Sequence, residues 1–103
     1  MAIYQTAQYR VNEASVDRVR AAIEEFVRYV ESNEPGTRMY RAWQQEGDPT
    51  RFVHLFIFED DAAHQAHGAS DAVRAFEAVY RPELIEGPVV FIDHTQVATN
   101  QPD

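Results

Sequence analysis

The sequence predicts an α+β fold, ordered β-α-β-β-α-β, in which one four-stranded antiparallel sheet carries helices on a single face. Three observations carry this prediction. Two segments repeat apolar residues at steps of three and four, four segments are rich in β-branched and aromatic residues, and the breakers between them leave room only for short connections.

The first strand is expected over Ile3–Val11, where IYQTAQYRV alternates loosely. Ser15 then caps a helix, with Asp17 in the first turn where the helix dipole favours an acid. Val16, Val19, Ile23, Phe26, Val27 and Val30 share one face of it. SNEPG ends the helix, because Pro35 restricts Glu34 and Gly36 supplies a turn. Strands over Thr37–Gln45 and Arg51–Glu59 flank the hairpin turn EGDPT. Ser70 caps a second helix, which turns Ala72, Val73, Phe76, Val79 and Tyr80 inward and ends at Pro82. RPELIEGP reads as a compact connection, Val89–Val97 as the last strand, and residues 98–103 as a frayed tail of one domain spanning 1–103. The order is the split βαβ arrangement of ferredoxin-like folds, and right-handed crossovers place both helices on the same face.

A chain of 103 residues has room for one core and buries only about 65% of its unfolded surface, so association is a natural source of further burial. The composition is 45% hydrophobic and 25% charged, which is that of a globular domain. Nine Arg and no Lys stand against 17 Asp and Glu, giving a net charge of −8, and the basic residues are scattered. Nucleic acid and anionic membrane are therefore not expected partners, since both need a local positive field. The absence of cysteine removes disulfides, thiolate metal sites and a cysteine nucleophile. MAIYQTAQYR has no basic start followed by an apolar core, and no run reaches the roughly 20 residues of a membrane span, so a cytoplasmic location is expected.

The sheet is expected to have a second apolar face. In RFVHLFIFE, Phe52, Phe56 and Phe58 point one way and Val53, Leu55 and Ile57 the other. Helices cover one set only, and the economical cover for the other is a second copy of the sheet, which predicts a homodimer.

The element order, with EPGT before strand two, DP in the hairpin and FEDDAAHQAHGAS after strand three, resembles the antibiotic biosynthesis monooxygenase family. The similarity runs from Tyr9 to about Val97 and is most specific at Glu34, Pro35, Gly36 and Tyr40, then from Phe58 through Ala63 and His67 to Ser70. The resemblance implies a dimeric α+β barrel. It also implies a cofactor-independent monooxygenase that uses molecular oxygen on an electron-rich aromatic such as a quinol, anthrone or polyketide phenol, with no metal. Relatives that degrade haem pair an Asn on strand one with a Trp and a helix His, whereas strand one here holds Thr6 and Gln8. Relatives acting as isomerases on sugar-like phosphates suit a basic cluster that this chain lacks, which leaves an isomerase or lyase using the same helix histidine without oxygen as the lowest-ranked reading. Many relatives carry a carboxylate on strand three where this chain has Phe56, which keeps open a non-catalytic ligand-binding or pathway-accessory dimer.

His67 matches the family's helix-borne histidine and is the expected catalytic base, since imidazole titrates near neutrality. The alternative is a capping histidine before Gly68. His64 and His67 with Asp60 and Asp61 have helical metal-ligand spacing, but Asp60 and Asp61 also read as the cap and first turn of a short helix. Tyr40, Trp43, Phe52, Phe56, Phe58, Phe76 and Tyr80 are candidates for the lining of a flat aromatic pocket, with His54 and His64 beside them, and core or dimer packing is the alternative for each aromatic. His54 shares a strand face with Phe52 and Phe56, so it needs hydrogen-bond partners there or a pocket.

Overall fold

The computed structural model describes residues 1–101. It contains β1 (Ile3–Val11), α1 (Val16–Asn33), β2 (Thr37–Gln44), β3 (Arg51–Phe58), α2 (Asp61–Gly68), α3 (Asp71–Tyr80) and β4 (Leu84–His94), with single 3₁₀ turns at Glu13–Ser15 and Arg81–Glu83. The strands lie in the order β2-β3-β1-β4, every neighbouring pair antiparallel, in the ferredoxin-like arrangement. Among the described residues no helix is long and apolar enough to cross a membrane. Residues 95–101 carry no helix or strand; of the expected frayed tail, residues 102 and 103 lie outside the described residues.

Two helices follow strand three. Asp60 caps α2 by accepting the Ala63 N–H at 2.9 Å, and Ser70 caps α3 by accepting the Val73 N–H at 3.0 Å. Asp60 and Asp61 are thus a helix start. Ser15 stands at the N-cap of α1 but turns its hydroxyl to the Glu83 carboxylate instead of a backbone N–H. The pull comes from across the fold: Glu83 is also held by Arg18, and Asn12 N–H bonds the Glu83 carbonyl, so the chain end of α3 is tied to the start of α1.

Alternation in β3 is strict. Phe52, His54, Phe56 and Phe58 are buried under the helices, while Val53, Leu55 and Ile57 are half-buried on the other face. The helix side joins Val19, Ile23, Phe26 and Val30 of α1 to Phe76 and Tyr80 of α3 and to Tyr9, Val11 and Phe52 of the sheet. Among the described residues no helix or strand forms a third layer on the opposite face. Trp43, Val90 and Ile92 there are each more than 40% exposed.

The last strand begins five residues earlier than expected and ends three earlier. GP following a charged residue reads as a turn, and Glu86 and Gly87 do adopt left-handed backbone, at φ 63° and 103°. They form a bulge inside a continuing strand. Ile85 pairs with Arg10 and Val90 with Gln8, so a step of two on β1 is matched by a step of five on β4. Arg10 and Arg51 both grip the Glu86 carboxylate, at 2.9 and 2.8 Å, which fixes the irregular segment to two neighbouring elements.

Candidate active site

A cavity of about 350 Å³ opens between the helices and the covered face of the sheet. His67 reaches it from α2, Phe76 and Tyr80 from α3, Phe26 from α1, and Tyr9, Tyr40, His54 and Phe56 from the three neighbouring strands. Its walls are aromatic, with ring centroids 4.7–5.9 Å apart in such pairs as Phe76–Tyr80, Phe26–Phe76 and Tyr40–His67. Phe91, just over half exposed, stands at its edge.

His67 is held by a carboxylate. Its Nδ1 lies 2.7 Å from Glu34 Oε1, which also accepts the Thr37 hydroxyl at 2.8 Å. A carboxylate oxygen can only accept, so Nδ1 of His67 carries a proton and donates it to Glu34. The dyad is secluded, with the side chains of His67 and Glu34 only 12% and 9% exposed. Glu34 Oε2 is buried with no hydrogen-bond partner among the described residues. The sequence brings the pair together by two local devices. EPG ends α1 with Glu34 at its C-cap, and Gly36 lets α2 approach so closely that a Cβ at Gly36 would sit 2.6 Å from that of Ala63. One helical turn beyond Ala63 lies His67.

His54 is the other polar group of the cavity. It is 2% exposed and hydrogen-bonded at both nitrogens, Nε2 to the Tyr9 hydroxyl at 2.8 Å and Nδ1 to the Tyr40 hydroxyl at 2.7 Å. Burial pushes its pKa down to about 4 and pushes both tyrosines above their ordinary value. At neutral pH all three are uncharged. The unfolded chain therefore binds a proton that the folded one refuses between pH 6.5 and about 4, and stability is expected to fall as pH drops through that window. A His54→Gln variant should show a shallower decline in urea denaturation midpoints measured from pH 7 to pH 4.

The expected pocket residues are placed unequally. Tyr40, His54, His64, Phe56 and Phe76 line the cavity with His67. Phe58 is wholly buried behind it, packed against the His64 and His67 rings at 4.9 and 5.0 Å. Trp43 is not in the cavity: it faces the open side of the sheet beside Val53, because residues three apart on a strand, Tyr40 and Trp43, cannot share a face. The concavity that Trp43 does line, about 540 Å³, has ion pairs of Arg10 and Arg51 with Glu86 along its wall and no histidine. Among the described residues no three His, Asp or Glu side chains come together as metal ligands. Sequence reasoning missed Tyr9 as a site residue and Glu34 as the partner of His67. A buried histidine on a strand needs two partners, and Tyr9 and Tyr40 are the tyrosines on its face of the adjacent strands, a signal that was present.

The family model described as antibiotic biosynthesis monooxygenase matches residues 2–79. No curated protein matches the chain. Among solved structures, a Bacteroides thetaiotaomicron protein provisionally described as an antibiotic biosynthesis monooxygenase is similar at a TM-score of 0.89 and 17% identity, over 99% of this chain and 95% of that one. A structure described as antibiotic biosynthesis monooxygenase is similar at a TM-score of 0.84 and 20% identity, over 95% of this chain and 100% of that one. Rv0793 from Mycobacterium tuberculosis is similar at 0.84 and 16%, over 98% and 100%. At these identities the likeness is one of fold.

Proposed function

The chain belongs to the antibiotic biosynthesis monooxygenase family, and we propose that it is a cofactor-independent monooxygenase of an electron-rich quinol, anthrone or polyketide phenol. The observation that carries this reading is the Glu34–His67 dyad at the wall of an aromatic cavity. Nε2 of His67 takes a proton from an acidic C–H or phenolic O–H, and Glu34 steadies the imidazolium that forms. For an anthrone-like methylene, the carbanion gives one electron to O₂, and the radical pair combines to a peroxide that recovers a proton from His67. Loss of water, with the second C–H, leaves a carbonyl: CH₂ and O₂ become C=O and H₂O, and the carbon supplies all four electrons. The protein contributes a positioned base and a site shielded from water.

The working unit in this reading is a cytoplasmic homodimer formed through the open face of the sheet. Val53, Leu55, Ile57, Trp43, Val90 and Ile92 form an apolar surface that no helix of the described residues covers. Leu55→Glu is expected to convert a dimer to a monomer in sedimentation at micromolar concentration; wild-type protein that sediments as a monomer would remove this part of the proposal.

One feature favours a second reading, a ligand-binding dimer without chemistry: buried Phe56 lines the cavity where many relatives are expected to have a carboxylate. Oxygen uptake by metal-stripped, flavin-free protein with a panel of quinols and anthrones separates the two. The oxygenase consumes O₂ with at least one of them; uptake with none favours the binder.

A further inference from the structure

The buried Tyr9–His54–Tyr40 chain holds more protons than its own bonds can use. Neutral His54 carries one N–H, and each tyrosine carries one O–H, since burial keeps all three groups uncharged at neutral pH. Two hydrogen bonds join the three groups, one at each imidazole nitrogen. Three protons and two bonds leave one donor over. If Tyr9 donates to Nε2, then Nδ1–H donates to Tyr40, and the Tyr40 proton is spare. If Tyr40 donates to Nδ1, then Nε2–H donates to Tyr9, and the Tyr9 proton is spare. Neither hydroxyl has a second protein acceptor among the described residues, yet both tyrosines line the same cavity as His67. A buried O–H without an acceptor is costly, and a ligand oxygen in the cavity removes that cost.

We propose that Tyr9, His54 and Tyr40 form an oxygen-binding subsite that gives its spare proton to a carbonyl or oxyanion of the aromatic ligand, with His54 adopting the tautomer that matches the donating tyrosine. The inference rests on the reading of the cavity as an aromatic site, and it narrows the ligand to a keto aromatic. Such a ligand has its acidic C–H or O–H at His67 and its carbonyl at a tyrosine. As His67 removes the proton, charge moves onto that oxygen, and the tyrosine bond becomes charge-assisted. His54 touches no ligand in this scheme. It is a positioning residue, aligning both hydroxyls and deciding which one is free.

Two inert probes test the subsite: 2-hydroxyanthraquinone, which has the carbonyls, and 2-hydroxyanthracene, which does not. The wild-type chain is expected to bind the quinone about tenfold more tightly. Its carbonyl stretch should move to lower frequency in difference infrared spectra. The ¹⁵N resonances of His54 should collapse onto one tautomer when the quinone binds, a change that a merely structural histidine would not show. In a Tyr9→Phe/Tyr40→Phe variant the preference should fall to about twofold or less and the carbonyl shift should vanish. The infrared and ¹⁵N readouts use wild-type protein and hold even where that variant fails to fold. Equal affinity for the probes, with the carbonyl band and the His54 resonances unmoved, overturns the subsite and leaves His67-dependent oxygen uptake standing. Binding of neither probe also overturns it, and the uptake assay then shows whether the oxygenase reading falls as well.

Discussion

His67→Ala is expected to lower oxygen uptake by roughly two to four orders of magnitude, the usual contribution of a positioned general base. Its fold and association state should survive. His67 sits on α2, whose side chains include no fully buried residue, and its ring packs at the wall of a cavity instead of inside the main core. Circular dichroism and sedimentation on the same preparation separate lost chemistry from lost structure. Glu34→Gln should cost less than His67→Ala, because an amide oxygen still accepts the Nδ1–H and holds the ring, but without the negative charge that steadies an imidazolium. Unchanged uptake in His67→Ala would remove the residue from the mechanism.

The second large effect is expected from a residue with no functional group. Gly36→Ala brings a methyl group to 2.6 Å from the Ala63 Cβ, and neither atom can swing away, since each is fixed to its own backbone. Something larger has to move. Overpacking of this kind costs about 1–3 kcal/mol. The contact lies two residues from Glu34 on the Gly36 side and one turn from His67 on the Ala63 side, so turnover should fall along with stability. Adding Ala63→Gly relieves the contact. The double variant is expected to regain most of the turnover while staying about 1 kcal/mol less stable than wild type, the cost of glycine within a helix. Thermal melts and oxygen uptake on the three variants check this. If Gly36→Ala matches wild type in both measurements, the close approach does not position the dyad.

Much of this architecture is legible in the sequence because its elements follow simple periods. The step of three and four in α1 places Val19, Ile23, Phe26 and Val30 inside, and strict alternation sorts β3 into two faces. What resists reading is whatever depends on non-local partners. Ser15 carries the local signature of a cap, but Glu83, 68 residues away, takes its hydroxyl. The start of β4 is masked because Glu86 and Gly87 have the backbone of a turn while the ladder continues past them. In the site, His67 is legible from its motif, whereas its bond to Glu34 spans 33 residues and depends on how α2 docks beside Gly36. Trp43 was misplaced by grouping aromatics according to chemistry without applying the strand period that had already sorted their neighbours.

The bulge in β4 gives the sheet a dependence on counting. Five residues of β4 are passed where two of β1 are passed, an excess of three, and an odd excess reverses which side each later residue presents. Val89 and Phe91 thereby meet the cavity, and Val90 and Ile92 the outer surface. With a regular ladder the two sets would trade places. A deletion in the segment 86–88 that shifted the later pairs by one would thus redraw the wall of the cavity and the outer surface together, with every remaining side chain unchanged. What this stretch transmits to the rest of the fold is its length, and the two surfaces of the sheet cannot vary independently through it.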